Sequence, residues 1–187
     1  MAAAASRIPD EFKQVRAELY DRIQEERGHE LWVLEDVEAV GSHVDRVRTL
    51  APSAPMQCMI AFNYYCAERG HPCSVLGMLY SLEVIASAYA MTLAQSIAKA
   101  IDRDVDAPGF KFLLSHSAMD QDHVAKLNVL MKTIDDPAGQ EAAISATQVN
   151  FYQFGRVFHD GGFTSLIPLA PPASTRCGAL LGDRFSA

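Results

Sequence analysis

The sequence lacks most of the features that mark specialised classes of protein. Its four cysteines, Cys58, Cys66, Cys73 and Cys177, form no CxxC pair and are too sparse for a disulfide scaffold. They are expected to be reduced, structural thiols, and a closed cysteine zinc site is excluded. No lysine and arginine cluster offers a footprint for phosphates, and the formal charge of −7 is spread along the chain. Nucleic acid is therefore not an expected partner. Met1 to Ser6 is an alanine run without a basic region followed by an apolar one, so no secretory signal is visible and a cytoplasmic location is expected. There is no internal repeat, and no segment alternates in polarity as a half-buried strand would.

What the chain does have is enough apolar residue for one core. At 187 residues, 49% hydrophobic and 21% charged, one domain is the expectation. The longest apolar stretch, Ser74 to Ile101, is long enough for a membrane span, but Glu83, Gln95 and Lys99 interrupt it and Ser and Ala are frequent. It reads as a helix buried in a bundle, with no membrane partner.

Helix periodicity runs from Asp10 to about Val40, through Phe12, Val15, Leu19, Ile23, Leu31, Leu34 and Val37. Gly28 is expected to bend this helix and Gly41 to end it. A proline-flanked break at Ala51 to Pro55 precedes a short helix, Met56 to Glu68, stopped by Gly70 and Pro72. Beyond the apolar helix come Phe110 to Ile134, with a break expected near Ser115, and a last helix from Asp136-Pro137 to about His159. The reading is all-α, with a helical metal-binding domain over 8–160 and an irregular tail over 161–187.

The sharpest pattern is His116-Ser-Ala-Met-Asp120-Gln-Asp122-His123. Residues 116, 120 and 123 are spaced i, i+4, i+7 and share a helix face with Phe112, Leu127, Leu130 and Ile134. Two imidazoles and a carboxylate therefore point at the core. Asp122 sits about 200° round the helix from His116 and is expected in solvent. Buried unpaired, such groups cost several kcal/mol each, a cost that a divalent metal removes. A second group stands in Glu25-Glu26-Arg27-Gly28-His29, where either carboxylate shares a helix face with the imidazole. The third is Glu83, the only acid in an otherwise apolar helix. Three carboxylates and three histidines on three helices are the oxygen and nitrogen donors that iron or manganese accepts.

Three features together, Glu-Glu-Arg-Gly-His29 with Leu31-Trp32 and Val40-Gly41, Leu76-Gly77-Met78-Leu79-Tyr80 leading to Glu83, and H-x3-D-x2-H from His116 to His123, give a family resemblance over roughly residues 10 to 160. The chain resembles the heme-oxygenase-like di-iron oxidases, or iron-containing redox enzymes, and more distantly the thiaminase-II-like and pyrroloquinoline-quinone-synthase-like proteins. The resemblance implies a heme-oxygenase-like bundle that binds two iron ions, with manganese as an alternative, through Glu26, His29, Glu83, His116, Asp120 and His123. It also implies O2 and a small organic metabolite as substrates, with Tyr80, one turn before Glu83, lining the substrate pocket.

Family members carry further helices before the first motif. A bundle shortened at its N-terminus, or one whose pocket wall comes from a partner subunit in a homo-oligomer, is therefore expected. A thiaminase-II-like or quinone-synthase-like enzyme on the same fold and a non-catalytic metal-binding subunit are the competing expectations.

Overall fold

Apolar residues spaced three and four apart, with Pro and Gly between the runs, fold into eight α-helices among residues 1–161, the part of the chain this computed structural model describes. In chain order these are α1 (Ala2–Ala5), α2 (Lys13–Glu25), α3 (His29–Ala39), α4 (Val44–Thr49), α5 (Ala54–Arg69), α6 (Ser74–Ala100), α7 (Lys111–Lys132) and α8 (Pro137–Asp160), with a 3₁₀ turn at Asp10–Phe12 before α2. No strand occurs among the described residues. The expected tail beyond residue 161, with Cys177, lies outside them.

The apolar helix α6 is the axis of the fold. It is long and apolar enough to cross a membrane by length and composition, and here α7 and α8 pack along its flanks. The α6–α8 contact is close because Gly77 has no side chain. A Cβ there would stand 2.5 Å from the Ala143 carbonyl oxygen and 2.7 Å from the Ala146 Cβ. On the far side of α8, Asn63 of α5 and the buried Asn150 exchange two side-chain hydrogen bonds, with Asn63 Nδ2 donating at 2.7 Å and Asn150 Nδ2 at 3.1 Å.

Several expectations are corrected. The first periodic segment is two helices rather than one bent helix: Gly28 adopts φ +92°, a left-handed conformation that ends one helix and starts the next. The alanine run forms α1, and Ala4, Ala5 and Ile8 are core residues, so the packed domain starts before residue 8. Helix α4 was not anticipated, because six residues are too few to show a period. Helix α7 runs without a break at Ser115.

Helix α7 also takes its N-terminal cap from a distant element. Both carboxylate oxygens of Asp36 accept from its first backbone amides, Oδ1 from Lys111 at 2.9 Å and Oδ2 from Phe112 at 2.8 Å. This ties α3 to the start of α7 and satisfies donors that a helix end leaves open.

Gly77→Ala should destabilise the fold by about 1–3 kcal/mol, because the added methyl meets backbone that cannot yield. Urea denaturation measures this, and an unchanged midpoint would show that α8 can retreat from α6 freely.

Candidate metal centre

The centre forms where four helices present ionisable side chains to one another. Helix α2 supplies Arg22 and Glu25, and Glu26 caps its end. The Gly28 turn sets His29 at the first position of α3. Glu83 comes from the middle of α6, and His116, Asp120 and His123 come from the inner face of α7. Six of these residues are buried: Arg22, His29, Glu83, His116, Asp120 and His123.

Their donor atoms converge. The Gly28 turn brings Glu26 Oε2 to 3.0 Å from His29 Nδ1 and to 3.6 Å from His116 Nε2. On the other side, Glu83 Oε2 is 3.1 Å from His123 Nδ1, and Asp120 Oδ1 is 3.3 Å from the same nitrogen. Two three-residue groups result, Glu26–His29–His116 and Glu26–Glu83–His123, each with its donor atoms within 4.8 Å of one another. Glu26 belongs to both.

Glu25 and Glu26 both approach the histidines. Glu25, 40% exposed, lies 3.6 Å from His123 Nε2 and also meets Arg22 and Lys126, whereas Glu26, 28% exposed, lies between His29 and His116. Asp122 lies on the exposed face of α7.

Orientation of the imidazoles follows from their other contacts. His116 Nδ1 lies 2.9 Å from the Phe112 carbonyl oxygen. A carbonyl only accepts, so Nδ1 carries the proton and Nε2 offers its lone pair to the centre. Trp32 stacks on His29 with ring centroids 4.0 Å apart, and Phe112 lies 4.2 Å from His116. These rings hold both imidazoles in place.

Burial and mutual charge perturb the titrations. Burial, then the charge of Glu83, pushes the Asp120 carboxyl up to about 8. The close approach of His116 holds Glu26 below its usual range, and the same contact raises His116. Asp120 Oδ1 and Arg22 Nη1 are buried without a hydrogen-bond partner. An orphaned carboxylate oxygen beside two histidines is what a metal ligand looks like without its ion. With only oxygen and nitrogen donors at hand, the residues fit iron or manganese.

Two placements were not foreseen. Arg22, readable in sequence only as a surface partner of its neighbours, is 1% exposed. Its Nε donates to Glu18 Oε1 at 2.9 Å, and its Nη1 lies 3.3 Å from Glu83 Oε1 and 3.4 Å from Glu25 Oε2. Its i,i+4 spacing from Glu18 was the available signal, and nothing in it showed burial. Tyr80 lies away from the centre, lining a separate cavity with Met131, Ile134 and Phe151. At 100° per residue, Tyr80 stands about 60° from Glu83 on one side, while Leu79, Ala86 and Ala90 stand about 20–60° away on the other. That second side faces the cavity beside the centre, which Glu26, Glu83, His116 and Asp120 also line.

None of the three described cysteines lines that cavity. Burial pushes the Cys73 thiol up to about 11, which leaves it protonated and a poor nucleophile.

The comparisons with known proteins agree with this architecture. A family model described as iron-containing redox enzyme matches residues 1–151. A solved structure from Shewanella denitrificans OS217, a domain of unknown function with a heme oxygenase-like fold, is similar with a TM-score of 0.72 and 21% sequence identity, over 85% of this chain and 68% of that one. That likeness shows the fold, a heme-oxygenase-like helical bundle. No curated protein matches.

Arg22→Met should destabilise the metal-free protein by about 3–5 kcal/mol, because it leaves Glu83 buried without its cation. Chemical denaturation of both forms tests this, and a loss under about 1 kcal/mol would mean that Glu83 is neutralised in another way.

Proposed function

We propose that this chain, which belongs to the iron-containing redox enzyme family, is an O2-activating oxidase or oxygenase that holds two iron ions with Glu26, His29, Glu83, His116, Asp120 and His123. The family supports a redox role. The observation that carries the finer reading is the pair of donor groups that share Glu26, the arrangement in which one carboxylate serves two ions. Manganese accepts the same donors.

Bound there, iron would supply positions for O2 and the electrons that activate it. The protein's own part is to orient, to exclude water and to move protons. His116 is fixed for ligation by the bond from Nδ1 to the Phe112 carbonyl. The cavity that meets the centre is apolar along its walls, which keeps water from competing with a small organic substrate. Asp120, protonated in the metal-free state, must give up its proton to ligate, so metal uptake releases a proton. Arg22 holds Glu83 Oε1, leaving Oε2 to the centre.

Protein loaded with Fe(II) without oxygen should bind about two irons per chain, measured by equilibrium dialysis. His116→Ala should retain about one, and Glu26→Ala, which removes the shared ligand, should retain less than one. Less than one iron on the unaltered protein, or full retention in Glu26→Ala, would overturn the reading.

A pH experiment checks Asp120 separately. Its carboxyl ionises near 3.8 when unperturbed and near 8 in the folded chain. Between these limits the metal-free folded state binds the extra proton, so this group's stabilisation is complete below about pH 4 and is lost as the pH rises to about 8. Asp120→Asn should therefore flatten the fall in urea midpoint between about pH 5 and about pH 8. An equal fall in both proteins would place the proton elsewhere.

A further inference from the structure

Helix α5 is apolar on both of its faces. Inward it buries Met59 and Cys66 and pairs Asn63 with Asn150 of α8. Outward, Gln57, Ile60, Ala61, Tyr64, Tyr65 and Glu68 are all exposed. Their spacing, i, i+3, i+4, i+7, i+8 and i+11, makes them one stripe along the helix. Ile60 is 42% exposed, Tyr64 60% and Tyr65 62%. An apolar stripe of this kind is the seam by which a helix packs on another, and here it faces water.

Charge selects what covers it. No charged residue stands from Ala54 to Ala67 on α5, or from Ala142 to Gly155 on α8, the helix packed beside it. The chain as a whole carries a formal charge of −7, so two copies repel each other where charged surfaces meet and least where these do. A membrane surface fits less well, because the stripe offers no lysine or arginine to lipid headgroups. Exposed Tyr152 of α8 adds to the apolar area. Ile60 and the three tyrosines expose roughly 400 Å² together, about half of what each partner in a standard interface buries, before any rim residue is counted.

We propose that this surface is the interface of a homodimer in which α5 of one chain lies antiparallel to α5 of a second copy, about a twofold axis between Ala61 and Tyr64. That register sets Tyr64 against the partner's small Ala61 and Ile60 against the partner's Tyr65, so that a ridge meets a groove. Gln57 then stands opposite the partner's Glu68, and the two Glu68 carboxylates lie at opposite ends, roughly 16 Å apart along the helices. No like charges meet across the axis. None of these residues belongs to the metal centre, so the pairing is independent of the redox reading above.

Sedimentation velocity of the full chain between about 1 and about 100 µM should show twice the mass of one chain. Tyr64→Glu and Tyr65→Lys each bury a charge at the seam and should weaken the dimer at least about a hundredfold. Circular dichroism identifies whichever variant keeps the fold, and one suffices. Register is read from Gln57→Lys, which sets an ammonium against the partner's Glu68 on both sides of the axis and should tighten the dimer about tenfold. Combined with Glu68→Ala, the same change should give no gain.

A monomer throughout the concentration range, a dimer unmoved in a folded seam variant, or a gain from Gln57→Lys that survives Glu68→Ala would overturn the proposal. So would a monomer that floats with phosphatidylcholine vesicles, which would give the surface to a membrane.

Discussion

Six ionisable residues are buried in the middle of an apolar bundle, and the rest of the molecule depends on how their charge is compensated. Carboxylates taken out of water are stable only with counter-charges and hydrogen bonds at close range. Arg22 provides one such charge, spanning Glu18, Glu25 and Glu83 and donating to the His123 carbonyl at 3.5 Å. The compensation is incomplete, since Asp120 Oδ1 has no hydrogen bond and its carboxyl is driven towards the neutral form. A divalent ion would complete it, so the groups on which folding depends are those that would hold the ion.

Backbone features away from the charges decide where they meet. The left-handed Gly28 ends α2 and starts α3 between Glu26 and His29, so the two ligand candidates come from different helices. Without a glycine at position 77, α6 could not approach α8 so closely, and Glu83 would sit differently against α7. Asp36 holds the first turn of α7 through two amides, four residues before His116. Each is a local property of one residue whose effect appears at the centre because helices are stiff.

The centre and the cavity divide the work. Arg22, Glu26, Glu83, His116 and Asp120 of the centre also line the cavity, and apolar side chains of α6, α7 and α8 make up most of the rest of its wall.

The sequence by itself determined the helical class, the spans of the longer helices, and the inward face of His116, Asp120, His123 and Glu83. A period of 3.6 residues is visible over a run as long as α6, α7 or α8, and the i, i+4, i+7 spacing of His116, Asp120 and His123 is a property of any α-helix. Elements of four and six residues, α1 and α4, are too short to carry that period and were not legible. Tertiary structure alone decided the rest. It buried Arg22, whose spacing from Glu18 is that of a solvated surface pair. It set Glu26 between His29 and His116 and left Glu25 against His123, Arg22 and Lys126. It left Tyr80 on the wrong side of α6, about 60° from Glu83, since which flank of a buried helix meets a cavity depends on the neighbours packed there. Periodicity fixes a residue's angle about its own helix axis, and only the packing of helices gives that angle a place to point.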